Sequence, residues 1–320
     1  MEKSTANSVL TNKERFQQLL NGEIPDHPPH FEIVFQLARD FFDMDWHAVN
    51  DAVYGSESQR IAALEDFHIE LQLRLVDTFD YAAVQPPNSL EGIRKTRKAI
   101  GDRALIMPHD WDGVFWMPSG DEMMNFTQML FYHPEELHAK ARQKCAEAIE
   151  RIRRQFDAGA DLILLAYDFG YNQGPFISPD QFQEFVTPYL TEIVGSIHDM
   201  GKQAILHSDG NINALLDQIY HTGIDGYQSV DPQGHMDIRE VRRRFPDWLL
   251  MGNVNSGLLQ FTDEAKIRKS VRYCMTHGGM GKRYIFSTSN CIFDGMPRES
   301  YEIMLAEYRS LCQDSARGRI

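Results

Sequence analysis

The segment His207-Ser208-Asp209 carries two side chains whose types and spacing suit chemistry at a metal ion. If the segment ends a strand, residues two apart point the same way, so the imidazole and the carboxylate can reach one ion. Both groups suit Zn²⁺, and Cys291, after a later apolar run, could supply a thiolate as third ligand. Three protein ligands and an open fourth position are typical of catalytic zinc. The same residues also fit structural roles: a hydrogen-bonded histidine, a helix-capping aspartate and a small buried thiol.

Asp168 ends the most apolar stretch of the chain, and together with His207 it is a candidate catalytic residue. Its carboxyl group could act as a general acid or base, anchor a substrate, or cap the turn that follows. Other polar or aromatic side chains at or near the ends of apolar runs are candidates for substrate binding. These are Tyr167, Gln85, His109, Trp116, Gln228, Asn253 and Asn290.

Several common catalytic motifs are missing from the sequence. It contains no G-x-S-x-G, H-E-x-x-H, G-x-G-x-x-G or C-x-x-C pattern, and the glycine-containing run at 276–282 lacks the spacing of a P-loop. These absences remove the strongest sequence evidence for a serine hydrolase, a zincin, a dinucleotide-dependent enzyme or a phosphate-binding loop.

Eight short apolar segments alternate with amphipathic stretches, which predicts repeated βα units. The apolar segments lack strict period-two alternation, as expected of parallel strands buried on both faces. We expect strands at 31–35, 81–85, 104–108, 161–168, 203–209, 226–230, 248–254 and 284–289, and helices at 57–75, 134–156, 179–200, 212–221, 237–245, 262–277 and 297–311. Eight strands in 320 residues favour a (β/α)8 TIM barrel. The rival, a doubly wound open sheet, predicts a glycine-rich turn after the first strand, and 36–39 contain no glycine.

A barrel would bring the candidate residues together, because the chemistry of this fold lies at the C-terminal ends of its strands. We expect one domain over 1–320, since no Pro-, Gly- or Ser-rich linker divides the chain, with 1–25 as an N-terminal helical extension. The segment 109–132, rich in Trp, Phe and Met, is expected to form a long loop over one mouth of the barrel.

Composition excludes some classes of function. The net charge of −14, from 46 acidic and 32 basic residues, argues against binding to nucleic acid or to an anionic membrane. The first residues lack the apolar core of a signal peptide, and the longest apolar run, 162–167, is far too short to span a bilayer. With four scattered cysteines and no disulfide framework, we expect a soluble cytoplasmic protein.

The second half of the chain resembles the uroporphyrinogen decarboxylase superfamily over roughly 155–310. The resemblance is carried by an ordered series of segments, of which Leu206-His207-Ser208-Asp209-Gly210-Asn211 is central. The others are Gly159-Ala160-Asp161, the strand to Asp168, Ile177-Ser178-Pro179 to Phe185, Pro188-Tyr189, Gly223-Ile224-Asp225, Gly252-Asn253-Val254 and Pro297-Arg298-Glu299. The resemblance implies a (β/α)8 barrel and one of two activities. One is the cofactor-free decarboxylation of haem synthesis; the other is corrinoid-dependent methyl transfer, in which thiol-activating members bind zinc through His-x-Cys and a later Cys.

The chain departs from both branches of the superfamily. The decarboxylase carries an R-Q-A-G-R segment suited to a substrate with eight carboxylates, whereas 36–40 here read Gln-Leu-Ala-Arg-Asp, with Arg39 alone. Against the methyltransferase pattern, His207 matches and Cys291 lies near the expected place, but Asp209 replaces the first Cys. A His/Asp/Cys set is harder than His/Cys/Cys, and it suits zinc acting as a Lewis acid on an ether or an amine.

The leading hypothesis is a methyltransferase of the corrinoid-dependent branch. It would move a methyl group between a small methoxylated or methylamine-like substrate and a separate corrinoid protein that supplies methylcobalamin or cob(I)alamin. His207, Asp209 and Cys291 would hold zinc, Asp168 would orient the substrate or protonate the leaving group, and Trp111–Trp116 would wall the pocket. A cofactor-free decarboxylase and a non-catalytic ligand-binding barrel are the alternatives.

Overall fold

Eight parallel strand segments follow one another around the fold in the computed structural model, which describes residues 10–316. Six neighbouring strands form one sheet in the order β10-β9-β8-β7-β4-β3, and β1 pairs with β2. The strands are β1 (Ala83–Val84), β2 (Leu105–Ile106), β3 (His109–Asp110), β4 (Ile163–Ala166), β5 (Gly170–Tyr171), β6 (Gly174–Pro175), β7 (Ala204–His207), β8 (Gly226–Ser229), β9 (Leu249–Val254) and β10 (Tyr284–Thr288). β5 and β6 form a separate antiparallel hairpin.

Helices connect these strands. They are α1 (Asn12–Leu20), α2 (Ala38–Phe42), α3 (Trp46–Asn50), α4 (Glu57–Phe79), α5 (Leu90–Ile100), α6 (Gly120–Tyr132), α7 (Pro134–Asp157), α8 (Pro179–Phe185), α9 (Thr187–Asp199), α10 (Leu216–His221), α11 (Ile238–Arg244), α12 (Glu264–Cys274) and α13 (Arg298–Ala316). A short 3₁₀ helix covers Ser256–Gln260, and a π-helical turn covers Met275–Gly279. None of the helices described within residues 10–316 is both long and apolar enough to cross a membrane.

The (β/α)8 barrel predicted from the sequence is confirmed, with the first strand reduced to isolated bridges. His30 bridges Phe286 of β10, and the amide of Ala82 donates to the carbonyl of His30, so this segment lies between β10 and β1. A side chain takes part in the pairing, because Glu32 Oε2 accepts a hydrogen bond from the amide of Thr288 at 2.9 Å. The third predicted strand is split into β2 and β3 at Pro108, which has no N–H to donate.

Apolar burial and helix-capping residues explain why these segments form strands and helices. Every residue of β4, β7, β8, β9 and β10 is buried, as the continuous apolar runs predicted. Ser178 starts α8 with a capping box and a proline in the first turn. Gly201 follows α9 at φ +68°, the left-handed stop that its position predicted.

Two local predictions were incomplete. The segment 109–132 is not a loop throughout, because 120–132 form α6 against α7; the apolar residues that suggested a binding wall partly serve helix packing. Helix α5 was missed, although Ser89 caps it and its apolar residues follow helical spacing. Helix α1 lies within the predicted N-terminal extension, and residues 1–9 of that extension lie outside the described part of the chain.

Candidate active site

Three ionisable side chains meet where β4 and β7 end. Asp168 follows β4, His207 ends β7 and Asp209 lies two residues further, so the strand ends carry all three to one edge of the sheet. His207 Nε2 lies 3.6 Å from Asp168 Oδ1 and 3.7 Å from Asp209 Oδ2. One candidate ligand atom from each residue lies within 4.8 Å of the other two. We call Asp168, His207 and Asp209 the acidic triad.

Gln228 fixes the orientation of the histidine ring. Its Oε1 accepts a hydrogen bond from His207 Nδ1, while its amide nitrogen donates to the carbonyls of Thr288 at 3.3 Å and Ser289 at 3.5 Å. Because the amide nitrogen is held by carbonyls, its oxygen is left to accept from the imidazole. His207 therefore carries its proton on Nδ1 in the neutral state and presents the Nε2 lone pair to the two carboxylates.

Both carboxylates of the triad are also held by donors. Asp209 Oδ1 accepts from the Ser229 hydroxyl at 2.7 Å, and Asp209 Oδ2 accepts from the Asn290 side-chain amide. The backbone amide of Asp209 donates to Asp168 Oδ1 at 2.9 Å. Ser229 has φ +132°, a conformation that is costly for a non-glycine residue, at the point where its hydroxyl meets Asp209.

Burial and mutual charge set the protonation of the triad. Burial alone would lower the pKa of His207, but the negative charges of Asp209 and Asp168 outweigh it and raise the pKa above 6.5. Burial also raises the pKa of Asp209, since the nearby His207 offsets only part of that effect and Asp168 adds to it. A positive ion between these groups would relieve the repulsion between the two carboxylates.

The donor set fits a divalent metal ion. Ligands about 2.0–2.1 Å from a tetrahedral zinc stand roughly 3.3–3.5 Å apart, close to the two distances measured from His207 Nε2. The histidine has the second-nitrogen partner that metal-bound imidazoles nearly always have, here Gln228. One nitrogen and two carboxylate oxygens suit zinc and related divalent ions better than they suit soft metals.

Cys291, predicted as a ligand, does not belong to this group, in which Asp168 is the third member. Its thiol is partly buried, and burial with the negative charges of Asp209, Glu32 and Asp168 raises its pKa to about 12. Without a metal ion beside it, the thiol therefore keeps its proton at physiological pH. The adjacent residue, Asn290, is the one that reaches Asp209.

The other predicted substrate residues divide into two groups. Gln228 and Asn290 contact the triad, as described above. His109 begins β3 and stacks on Trp111 with ring centroids 4.8 Å apart, and Gln85 follows β1. Trp116 is 39 % exposed and precedes Met117, whose amide donates to the carbonyl of Asp168 at 2.8 Å.

Two predicted residues face away from the triad. The hydroxyl of Tyr167 donates to Asp110, which also accepts from Arg151 at 2.7 Å. Asn253 donates to the carbonyl of Val230 at 2.8 Å and accepts from the Cys274 thiol at 3.3 Å. The reason is alternation: the neighbour of an inward residue such as Asp168 points outward, toward the helices.

Three residues near the mouth were not predicted from the sequence. Ser229 holds Asp209, and Asp231 accepts from the amide of Gly210 at 3.2 Å and helps to raise the pKa of both His207 and Asp209. His68 of α4 hydrogen-bonds to the carbonyl of Gln85 at 2.7 Å. Ser229 and Asp231 flank the end of β8, a position that could have identified them; His68 gave no such signal because it lies inside a helix.

Comparison with known proteins gives a consistent result. A family model described as uroporphyrinogen decarboxylase matches residues 82–311. The uroporphyrinogen decarboxylase of Nicotiana tabacum is 29 % identical over 220 residues, which cover 66 % of this chain and 54 % of that protein. That of Pseudoalteromonas atlantica is 26 % identical over 245 residues, covering 72 % and 67 %. The chain thus spans little more than half of the tobacco protein.

A solved structure matches nearly the whole chain. It is described as a methyltransferase from Methanosarcina mazei, and the match has a TM-score of 0.75 at 16 % identity. The match covers 95 % of this chain and 99 % of that one, so the two chains share a fold from end to end.

Proposed function

Because the chain belongs to the uroporphyrinogen decarboxylase family, whose members are enzymes, we propose that it is a methyltransferase. It would move a methyl group between a small methylated substrate and a separate corrinoid protein that docks at the barrel mouth and carries methylcobalamin or cob(I)alamin. The observation that carries this proposal is the acidic triad, with three donor atoms from two neighbouring strand ends and a histidine oriented by Gln228.

The triad residues, Asp168, His207 and Asp209, would hold zinc. When bound, zinc would act as a Lewis acid on the ether oxygen or amine nitrogen that leaves the methyl group. Ser229 and Asn290 keep Asp209 in place, and Gln228 keeps the Nε2 lone pair of His207 directed at the site. These outer contacts stiffen the ligands before the substrate arrives.

Asp168 is the triad residue best placed to meet the substrate. Its side chain is 34 % exposed, against 25 % for Asp209 and 10 % for His207. Oδ1 accepts the amide of Asp209, while Oδ2 forms no hydrogen bond within residues 10–316. The free oxygen can accept a hydrogen bond from the substrate and orient it beside the metal. Trp116, three residues before Ser119, which is the N-cap of α6, would line the same opening.

Metal content and methyl transfer test this proposal together. Purified, tag-free protein should hold near-stoichiometric zinc, and His207→Ala should lose it while keeping its circular dichroism spectrum. His133→Ala, at an exposed position before α7, is the matched control and should keep the metal. With free cob(I)alamin as acceptor and small methoxylated or methylated amine compounds as donors, methylcobalamin should form with wild-type protein only. Full activity in His207→Ala, or no zinc uptake by the wild type, would refute the proposal.

A decarboxylase is the second candidate, because the curated relatives carry that name. The polyanionic substrate of that reaction needs basic residues, and Arg39 is 78 % exposed and 3.8 Å from Asp45. Asp168 would then stabilise the protonated intermediate. Turnover of uroporphyrinogen by a metal-stripped sample would favour this candidate over methyl transfer.

A further inference from the structure

Two polar side chains at the mouth have hydrogen-bonding groups that the protein does not use. Gln85 is only 4 % exposed, and its side-chain nitrogen is buried with no hydrogen-bond partner among residues 10–316. Its backbone is fully engaged: the amide donates to Gln72 Oε1 at 3.3 Å, and the carbonyl bonds His68 Nε2 at 2.7 Å. The backbone and its neighbours thus hold Gln85 in place while its amide donor is left unsatisfied.

His109 is the second such residue. One face of its ring stacks on Trp111 at an interplanar angle of 19°, and neither ring nitrogen forms a hydrogen bond within the described chain. Burial, followed by the charges of His207 and His68, lowers the pKa of His109 to about 3. The ring is therefore neutral at physiological pH, with one N–H to donate and one lone pair.

The two residues belong to the same side of the mouth. Gln85 follows β1 and His109 starts β3, and β1 and β2 are paired so that Val84 lies beside Ile106. His68 of α4 lies beside this edge, since it hydrogen-bonds to the carbonyl of Gln85 at 2.7 Å. Strand register places His109 beside Leu164 of β4, the strand that leads to Asp168 of the acidic triad.

A buried donor without a partner, such as the side-chain nitrogen of Gln85, is unusual in a folded protein, because its lost hydration is not replaced by another hydrogen bond. A bound group that accepts hydrogen bonds would remove that cost. An oxygen of a carboxylate or a carbonyl accepts from both an amide N–H and an imidazole N–H. An ammonium group would bring only further donors.

We propose that Gln85 and His109 form an acceptor subsite, which binds a carboxylate or carbonyl oxygen of the substrate while the methyl-bearing atom meets the acidic triad. This inference rests on the proposed methyltransferase function, and it selects methoxylated acids and ketones over methylamines. Trp111, half exposed and stacked on His109, lies beside the subsite.

A pair of probes that differ at one end tests the subsite. Methoxyacetate and 2-methoxyethylamine share the methoxy group, and only methoxyacetate carries an acceptor at the other end. We expect calorimetric titration of the zinc-loaded protein to give tighter binding of methoxyacetate, and Gln85→Leu to weaken that binding roughly tenfold. Gln85→Glu should weaken it further through charge repulsion, and Gln143→Leu, on the exposed side of α7, should leave it unchanged.

Ring nitrogen signals give a readout that does not depend on catalysis. Nitrogen-15 NMR of the histidines should show His109 shifting when methoxyacetate is added and staying in place with 2-methoxyethylamine. Equal affinity for the two probes, or undiminished methoxyacetate binding in folded Gln85→Leu and Gln85→Glu proteins, would overturn the subsite. If methoxyacetate binds as expected but no methylcobalamin forms from any donor, the subsite stands and the proposed reaction fails.

Discussion

The two sides of the barrel mouth differ in charge and in hydrogen bonding. On the side built by β4, β7, β8 and β10, the acidic triad is charged, and Gln228, Ser229 and Asn290 hold its His207 and Asp209. On the side built by β1 and β3, Gln85 and His109 are neutral, and the side-chain nitrogen of Gln85 has no hydrogen-bond partner within residues 10–316.

This difference indicates a division of labour. A site that binds a metal must hold its ligands rigidly before the ion arrives, so its ligands are fixed by other residues. A site that binds a substrate leaves donors free for the substrate to fill. The charged side of the mouth can then bind the reacting end of a small molecule, while the neutral donors of the other side bind its opposite end.

The largest effect is expected on the charged side. Asp209→Asn removes a negative charge and a ligand oxygen while keeping the shape of the side chain. Zinc affinity should fall by more than the roughly 10–100-fold that loss of an outer partner costs. Competition with a chromophoric chelator measures this, and Asp180→Asn, in the first turn of α8, is the control. Unchanged zinc affinity would mean that the triad is not the metal site.

The next effect concerns the partner of His207. Gln228→Leu removes the acceptor that fixes the ring, and zinc affinity should fall roughly 10–100-fold. Gln228→Glu keeps an acceptor for Nδ1 but sets an oxygen against the carbonyls of Thr288 and Ser289, so it should recover only part of the affinity. Because Gln228 is fully buried, replacing it can also lower the free energy of unfolding. Urea unfolding of each variant measures that loss separately from the loss of zinc affinity. Equal losses in both variants would show that packing, and not the hydrogen bond, is the role of Gln228.

Proton competition gives a smaller, graded effect. His207 must be neutral to bind a metal, and its pKa is raised above 6.5 because the carboxylates outweigh burial. Zinc affinity should therefore drop about tenfold for each pH unit below that raised pKa. In the metal-free protein, low pH has the opposite effect and stabilises the fold, because protonated His207 favours the folded state. This contribution is present below the pKa that His207 has in the unfolded chain, and it is lost as pH rises through the pKa of His207 in the folded protein.

Nuclear magnetic resonance of the metal-free protein checks the cause of that shift. The pKa of His207 should lie above 6.5 in the wild type and should fall in Asp168→Asn, which removes one of the two charges that raise it. A His207 pKa below 6.5 in the wild type would mean that burial prevails over the carboxylates.

The sequence predicted residues on both sides of the mouth, and its errors concern strand-end residues that face outward. His207 and Asp209 were found because two reactive residue types stand two apart at the end of an apolar run, and this local pattern survives folding. Tyr167 and Asn253 were assigned to the mouth because they also lie near strand ends, but alternation turns each of them outward. The sequence predicts where each strand ends. Whether a residue at that end points into the barrel or toward the helices depends on local twist and on breaks in a strand such as the one at Pro108.

Asp168 illustrates the remaining difficulty. It was predicted to be catalytic, and Cys291 was predicted as the third ligand because it follows the last apolar run. The distance between β4 and β7 decides which group completes the triad, and no pattern within either strand encodes that distance. His68 was missed for the same reason, because its contact with Gln85 depends on how α4 packs against the barrel. The sequence shows only that this helix is amphipathic.

The smallest effect on zinc is expected from the neutral side. His109→Phe keeps a ring to stack on Trp111 and removes both nitrogens. Since His109 is neutral at physiological pH, with a pKa of about 3, zinc affinity should change by less than about threefold. Methoxyacetate binding should nevertheless weaken, because a donor is lost. A large loss of zinc in this variant would erase the distinction between the two sides, since it would make His109 part of the metal site.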